Sequence, residues 1–283
     1  MWRKGLPKRT VSRLVLAKSE TIVGIVSVLL LLAMIQPTVC DLIIIKQIKE
    51  GQGSSSQVFR ILVVEGYFGA YYMKSGQFLI NALLGFSNWD KSSTDTSYIH
   101  LLSQYGQDEV LEECKPYWVD YTTKANVRRE FEDFLALAGP NENVIFYFCG
   151  EGSIQTVLIL GVPREGIYPD ELTSWLTLGG LPQANVCVIL DSCYSGSWID
   201  DGEEPGGYLG PGRIVLCSSL SNQESYGSPT DLWTFFTGHG PPKDTGIIGG
   251  LLGGANNTNG DDFYNVMEVF EFAKTSTEEY TDQ

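Results

Sequence analysis

The chain has 283 residues, 43% hydrophobic, 12% aromatic and 19% charged, which suits a folded domain with a sizeable core and excludes disorder or a repeat architecture as its main state. Nineteen Lys and Arg stand against 34 Asp and Glu, a net charge of −15; the first twenty residues hold six of the cations against Glu20 alone, so the remainder carries −20. Such an acidic body, without a basic stripe, argues against a nucleic-acid partner, and two histidines, His100 and His239, exclude a histidine-rich metal site.

Residues 1–20 form a basic N-terminal region (Arg3, Lys4, Lys8, Arg9, Arg13, Lys18), and 21–40 contain no charge. The densest apolar part, 22–35, suits the core of a secretory signal, while Leu42-Ile43-Ile44-Ile45 extends the apolarity towards the roughly 20 residues of a spanning helix. Signal peptide and membrane anchor both fit. Either one keeps the cations inside and predicts an extracytoplasmic body, secreted or anchored to the membrane by this segment. Residues 41–56, ending in Gly51-Gln52-Gly53-Ser54-Ser55-Ser56, read as a linker, and 57–283 as the folded domain.

Within that domain, the apolar and β-branched run 58–64 predicts a strand stopped by Gly66, and 67–84 predicts a helix from Phe78, Ile80, Leu83 and Leu84. His100 reads as packing or helix surface. A second strand is expected at 118–121, then a helix over 124–137, capped by Thr122-Thr123 and closed by Gly139-Pro140. The near-continuous apolar run 143–148 has the pattern of a parallel strand covered on both faces. A short strand pair or edge is expected at 157–162, and a helix at 169–178, with Asp170 and Glu171 at its positive end. Strands follow at 186–190 and 214–217, and a last helix at 264–274. Strands alternating with helices in this way predict an α/β domain, a mostly parallel sheet flanked by helices.

Six cysteines are too few to imply a disulfide framework. Cys149, Cys187 and Cys217 lie in apolar runs and read as small buried hydrophobes. The polar stretch 257–262 resembles a calcium loop, but Ala255 and Val266 occupy two ligand positions, so a capped turn is expected and neither metal nor cofactor. Asn256-Asn257-Thr258 is a glycosylation sequon.

Two strand ends run from apolar residues into small and polar ones: Phe146-Tyr147-Phe148-Cys149-Gly150-Glu151-Gly152-Ser153 and Ile189-Leu190-Asp191-Ser192-Cys193-Tyr194-Ser195-Gly196-Ser197. In parallel sheets, ligands gather beyond the carboxyl ends of strands. Cys193, at a turn flanked by small residues, fits a nucleophile and fits a buried turn residue equally well on pattern alone.

The Asp191-Ser192-Cys193-Tyr194-Ser195-Gly196 run resembles the nucleophile motif of the caspase, metacaspase and legumain group of cysteine peptidases, and Phe146 to Ser153 resembles their histidine motif with Glu151 in the histidine's place. Val215 to Ser219, Phe235-Phe236-Thr237 and 251–274 are similar to the tail of prokaryotic caspase-like sequences. The resemblance covers roughly 120–275. It implies a caspase-like three-layer fold, Cys193 as nucleophile, the backbone amides of Gly152 and Cys193 as oxyanion hole, and Asp191, with Cys149 and Ser218 beside it, in a substrate pocket for a basic side chain. Cys149 itself stands where the family usually has serine.

The change at 151 governs the chemistry to be expected. An imidazole takes the thiol proton and, as a cation, stabilises the thiolate; a carboxylate near about 4.3 is a poor base for a thiol near about 8.5, and its charge opposes thiolate formation. His239, in Thr237-Gly238-His239-Gly240, lies in the family's tail and reads as a surface-loop residue. Two functions follow: an impaired peptidase, or pseudopeptidase, that keeps a cleft for a peptide or protein ligand of basic character, and an active cysteine endopeptidase cleaving after Lys or Arg. Residues 200–212 are acidic and hold no Lys or Arg before Gly212, so self-processing there is not expected.

Overall fold

The computed structural model describes residues 44–45, 59–67, 74–85, 98–140, 142–154, 157–160, 164–200, 209, 213–228, 233–234, 236–238, 245–256, 258 and 264–281. The targeting segment 1–40, the linker 51–56, His239 and residues 257 and 259–263 of the calcium-like loop lie outside them. Among the described residues no helix is long and apolar enough to cross a membrane.

In chain order the elements are β1 (Ile44–Ile45), β2 (Phe59–Glu65), α1 (Ser75–Gly85), β3 (Ile99–Ser103), β4 (Trp118–Tyr121), α2 (Lys124–Asp133), β5 (Asn143–Cys149), β6 (Glu151–Ser153), β7 (Val157–Ile159), β8 (Gly166–Ile167), α3 (Pro169–Trp175), β9 (Asn185–Asp191), α4 (Ser197–Asp200), β10 (Arg213–Cys217), β11 (Gly227–Ser228), β12 (Trp233–Thr234), α5 (Gly246–Gly249), β13 (Tyr264–Asn265) and α6 (Val266–Thr281). β1 pairs antiparallel with β13, within the part of the chain read as linker.

Six strands make the central sheet, in the order β10-β9-β5-β2-β3-β4, and every pairing in it is parallel. Successive side chains of a strand point to opposite faces, and both faces here are apolar. Ile61 and Val63 pack with Leu79, Ile80 and Leu83 of α1, with Ile247 and Ile248 of α5, and with Val269 and Ala273 of α6. Leu62 and Val64 pack with Val127 and Phe131 of α2, with Leu172 and Trp175 of α3, and with Trp198 of α4. Burying each of these large side chains contributes roughly 1.5–3 kcal/mol, which is why an all-parallel sheet needs a helical layer on either side.

β3 is a strand that periodicity does not announce. Its five residues include His100, whose ring stacks on Phe134 at 3.7 Å and whose Nδ1 lies 2.5 Å from Glu130 Oε2. Those contacts exist only in the tertiary structure. The helix expected over 124–137 begins as expected, with Thr123 Oγ1 accepting the Asn126 N–H at 3.2 Å. It ends earlier, at Asp133, and Leu135–Leu137 tighten into a 3₁₀ turn.

Strand connections reverse direction beside β2: the chain leaves β2 for β3 and β4 on one side, then returns to β5, β9 and β10 on the other. Ligands of doubly wound sheets settle at such a switch, outside the carboxyl ends of the strands. Here those ends are Glu65, Cys149 and Asp191.

Candidate active site

The two motif-bearing strands, β5 and β9, are adjacent, in register from Asn143↔Asn185 to Cys149↔Asp191. Beyond the last pair the Gly150 N–H donates to the Asp191 carbonyl at 3.1 Å, and Ser218 N–H reaches back from the end of β10 to the Leu190 carbonyl, also at 3.1 Å. Glu151 and Gly152 then turn into the small antiparallel sheet β6-β7-β8. The chain after β9 turns at Tyr194, whose φ of 59° is the one left-handed non-glycine conformation among the described residues. A tyrosine held there indicates a backbone determined by its surroundings. The Tyr194 N–H donates to the Gln223 carbonyl at 2.8 Å, and the Ser197 hydroxyl donates to the Tyr194 carbonyl at 2.7 Å.

Cys193 precedes that turn and is only partly buried, unlike Cys114, Cys149 and Cys187. Its sulfur is bracketed by one peptide segment. The Ser225 N–H donates to Sγ at 3.4 Å, and Sγ donates to the Ser225 carbonyl at 3.7 Å. Burial pushes the thiol up; the Ser225 N–H pulls it down, and the charges of Glu224, Glu151 and Asp191 push it up further. Burial and the neighbouring acids thus favour the thiol over the thiolate. Ser192 Oγ, buried beside it, has no hydrogen-bond partner among the described residues.

Glu151, at the position the resemblance gives to histidine, is partly exposed and forms an ion pair with Arg164. No imidazole takes its place among the described residues. His100 lies on β3, three strands from β9, and is held by Glu130.

Asp191 is fully buried. Thr234 and Thr237 donate their hydroxyls to its Oδ2, Ser225 Oγ donates to Oδ1 at 3.4 Å, and the Tyr147 hydroxyl lies 3.5 Å from Oδ2. Ser218 Oγ, the neighbouring residue expected in the substrate pocket, donates to the Ser192 carbonyl at 3.3 Å. Despite these donors, burial dominates and pushes the Asp191 carboxyl up. Cys149 is also fully buried, and its thiol is pushed well up by burial and then by the charges of Glu65 and Asp191.

Glu65, which neither strand-end motif includes, lies at the same end of the sheet. It is register partner of Cys149, which is register partner of Asp191, so the three side chains form one row on one face of the sheet. The Glu65 carboxylate accepts from Ser103 Oγ at 2.6 Å, from Gln77 Nε2 at 3.0 Å and from the Gln77 N–H in the first turn of α1 at 3.1 Å. Burial again outweighs these donors and pushes the carboxyl up. A charged residue closing an otherwise apolar strand was the available signal; only pairing across β2, β5 and β9 joins it to the motifs.

The class of protein defined by this sheet and site is α/β, a mostly parallel sheet flanked by helices as expected, with six parallel strands, helices on both faces, and cysteine and acid at neighbouring strand tips. No family model matches the chain, and no curated protein matches it. Among solved structures, caspase-1 from Spodoptera frugiperda is similar at 9% identity over 82% of this chain and 83% of that one, with a TM-score of 0.47.

Proposed function

We propose that this chain is a caspase-like cysteine-peptidase domain whose hydrolytic step is strongly impaired and whose cleft is kept for binding a basic peptide segment: a pseudopeptidase. The observation that carries the reading is the set of groups around Cys193. The thiol is bracketed by the Ser225 peptide and raised by burial and three acids, and the base position holds a carboxylate engaged by arginine. With no base beside the thiol to accept the proton and no cation beside it to hold the thiolate among the described residues, the chemical step loses several orders of magnitude, as when a triad member is removed.

The row Glu65, Cys149, Asp191 supports a Lys or Arg side chain as the group bound. Two buried carboxyls raised by desolvation gain from the arrival of a cation, which offsets their lost hydration. Because Asp191 is covered by the hydroxyls of Ser225, Thr234 and Thr237, entry of such a side chain requires those side chains to shift. Export through the N-terminal segment 1–40 belongs to the same reading, with the domain outside the cytoplasm.

The test is peptide hydrolysis and peptide binding by the full-length chain. Lys- and Arg-containing peptides should be cleaved at a background rate that Cys193→Ala leaves unchanged. They should bind with an affinity that falls with salt and with Asp191→Asn. Hydrolysis abolished by Cys193→Ala would establish the active endopeptidase in place of this reading, and absence of binding would remove the ligand role. A gain of hydrolysis in Glu151→His would identify the carboxylate as the block.

A further inference from the structure

The carboxylate at position 151 is fastened from outside. Arg164 Nη2 donates to Glu151 Oε2, and the guanidinium lies over the Tyr67 ring, 5.0 Å from its centroid. The same Tyr67 accepts the Glu151 N–H on its carbonyl at 2.5 Å and donates its own N–H to the Ile159 carbonyl at 3.0 Å. Ile159 is in turn the register partner of Glu151 between β6 and β7. Tyr67, Glu151 and Ile159 thus form one hydrogen-bonded frame, with Arg164 closing over it. Guanidinium is planar and delocalised, so it can stack on a ring and hold a carboxylate at the same time, which an ammonium does poorly.

We propose that Arg164 is a positioning residue for Cys193: it holds the Glu151 carboxylate on the Tyr67 side of the cleft and offsets its charge, so that the sulfur faces an ion pair in place of a bare anion. The role concerns ionisation of the thiol and does not depend on whether a peptide is bound or cut. The backbone of Gly152, next to Glu151, abuts that of Cys193, and the charged and titratable groups that bear on the sulfur are Glu224, Glu151, Asp191 and the Tyr194 hydroxyl. Of the three acids, Glu151 is the one with an ion pair among the described residues. A histidine at 151 would carry its positive charge directly beside the sulfur. Here the positive charge stands one side chain further out, and its action is transmitted through the carboxylate it holds.

The experiment is alkylation of the full-length chain by iodoacetamide across pH, with modification of Cys193 followed by peptide mass spectrometry, so that the other cysteines do not enter the readout. Arg164→Gln should raise the midpoint of Cys193 alkylation by about half a pH unit at low salt, the scale of one partly exposed charge. Arg164→Lys should restore part of the shift, and about 1 M salt should erase most of it. Glu151→Gln should lower the midpoint. In the Glu151→Gln background, Arg164→Gln should raise it less than in the wild-type background, because no carboxylate remains to be released. An equal rise in both backgrounds would mean that Arg164 acts on the sulfur directly, and the positioning role would be wrong. A midpoint that stays or falls in Arg164→Gln would equally overturn it. Arg164 is 57% exposed, so its substitution leaves the fold intact, and an unchanged unfolding midpoint verifies that.

Discussion

Gly152 and Cys193 meet backbone to backbone: a Cβ built on Gly152 lies 2.0 Å from the Cys193 carbonyl oxygen and 2.9 Å from Ser192 Oγ. No rotamer change relieves a clash with a carbonyl. Gly152→Ala is therefore expected to separate the tips of β6 and β9 and to cost about 1–3 kcal/mol in denaturant unfolding, as overpacking does. It should also change the alkylation rate of Cys193. An alanine variant with wild-type stability and wild-type thiol reactivity would show that the two tips are not in this contact in solution.

Glu65 and Asp191 give stability an unusual dependence on pH. Burial raises both carboxyls, so the folded chain holds their protons more tightly than the unfolded one. Their contribution is complete below the unfolded values, near about 4, and is lost as pH rises through the folded values. Relative to a Glu65→Gln, Asp191→Asn variant, the wild type should lose unfolding free energy from about pH 4 upward and then level off. Chemical unfolding at a series of pH values measures the difference. A wild type that instead gains on the variant with rising pH would indicate a buried cation pairing with the ionised acids.

Thiol labelling should divide the described cysteines by depth. Burial pushes Cys114 and Cys187 up to about 12, and Cys149 is raised by burial as well. A maleimide applied to the native chain near pH 7 should modify Cys193 and Cys217, both partly exposed, and reach the other three only after unfolding. Native labelling of Cys149 would show that the strand tips open on the timescale of the reaction.

The hydroxyl of Tyr147 lies against Thr237 and 3.5 Å from Asp191 Oδ2, in a fully buried position. Tyr147→Phe keeps the ring and removes these contacts, so it should cost about 1–2 kcal/mol, the worth of a buried polar contact near a carboxylate. Measured in an Asp191→Asn background the cost should shrink, since the shared partner has lost its charge. Equal costs in both backgrounds would place the tyrosine's contribution in packing alone.

The strands at 59–65, 143–149, 185–191 and 213–217 were legible because each is a compact apolar run stopped by small or polar residues, and the cap at Thr123 because a hydroxyl before a periodic stretch serves one local donor. β3 was not, since a five-residue strand containing histidine has no period long enough to register, and its pairing with β2 and β4 supplies the hydrogen bonds that define it. The two strand-end motifs could be picked out for the same local reason as the longer strands: an abrupt passage from apolar to small residues is written in consecutive positions.

What neighbouring residues determined by themselves was thus the class of the sheet, the two strand ends and the acid at 151 beyond the first of them. Tertiary structure alone decided that Glu65 joins Cys149 and Asp191 in one row, that Asp191 is sealed by Thr234 and Thr237, and that Glu151 is held by Arg164. Register between parallel strands brings together residues far apart along the chain, and burial sets the charge each acid can carry. Neither quantity exists until the strands are paired and the helices cover them.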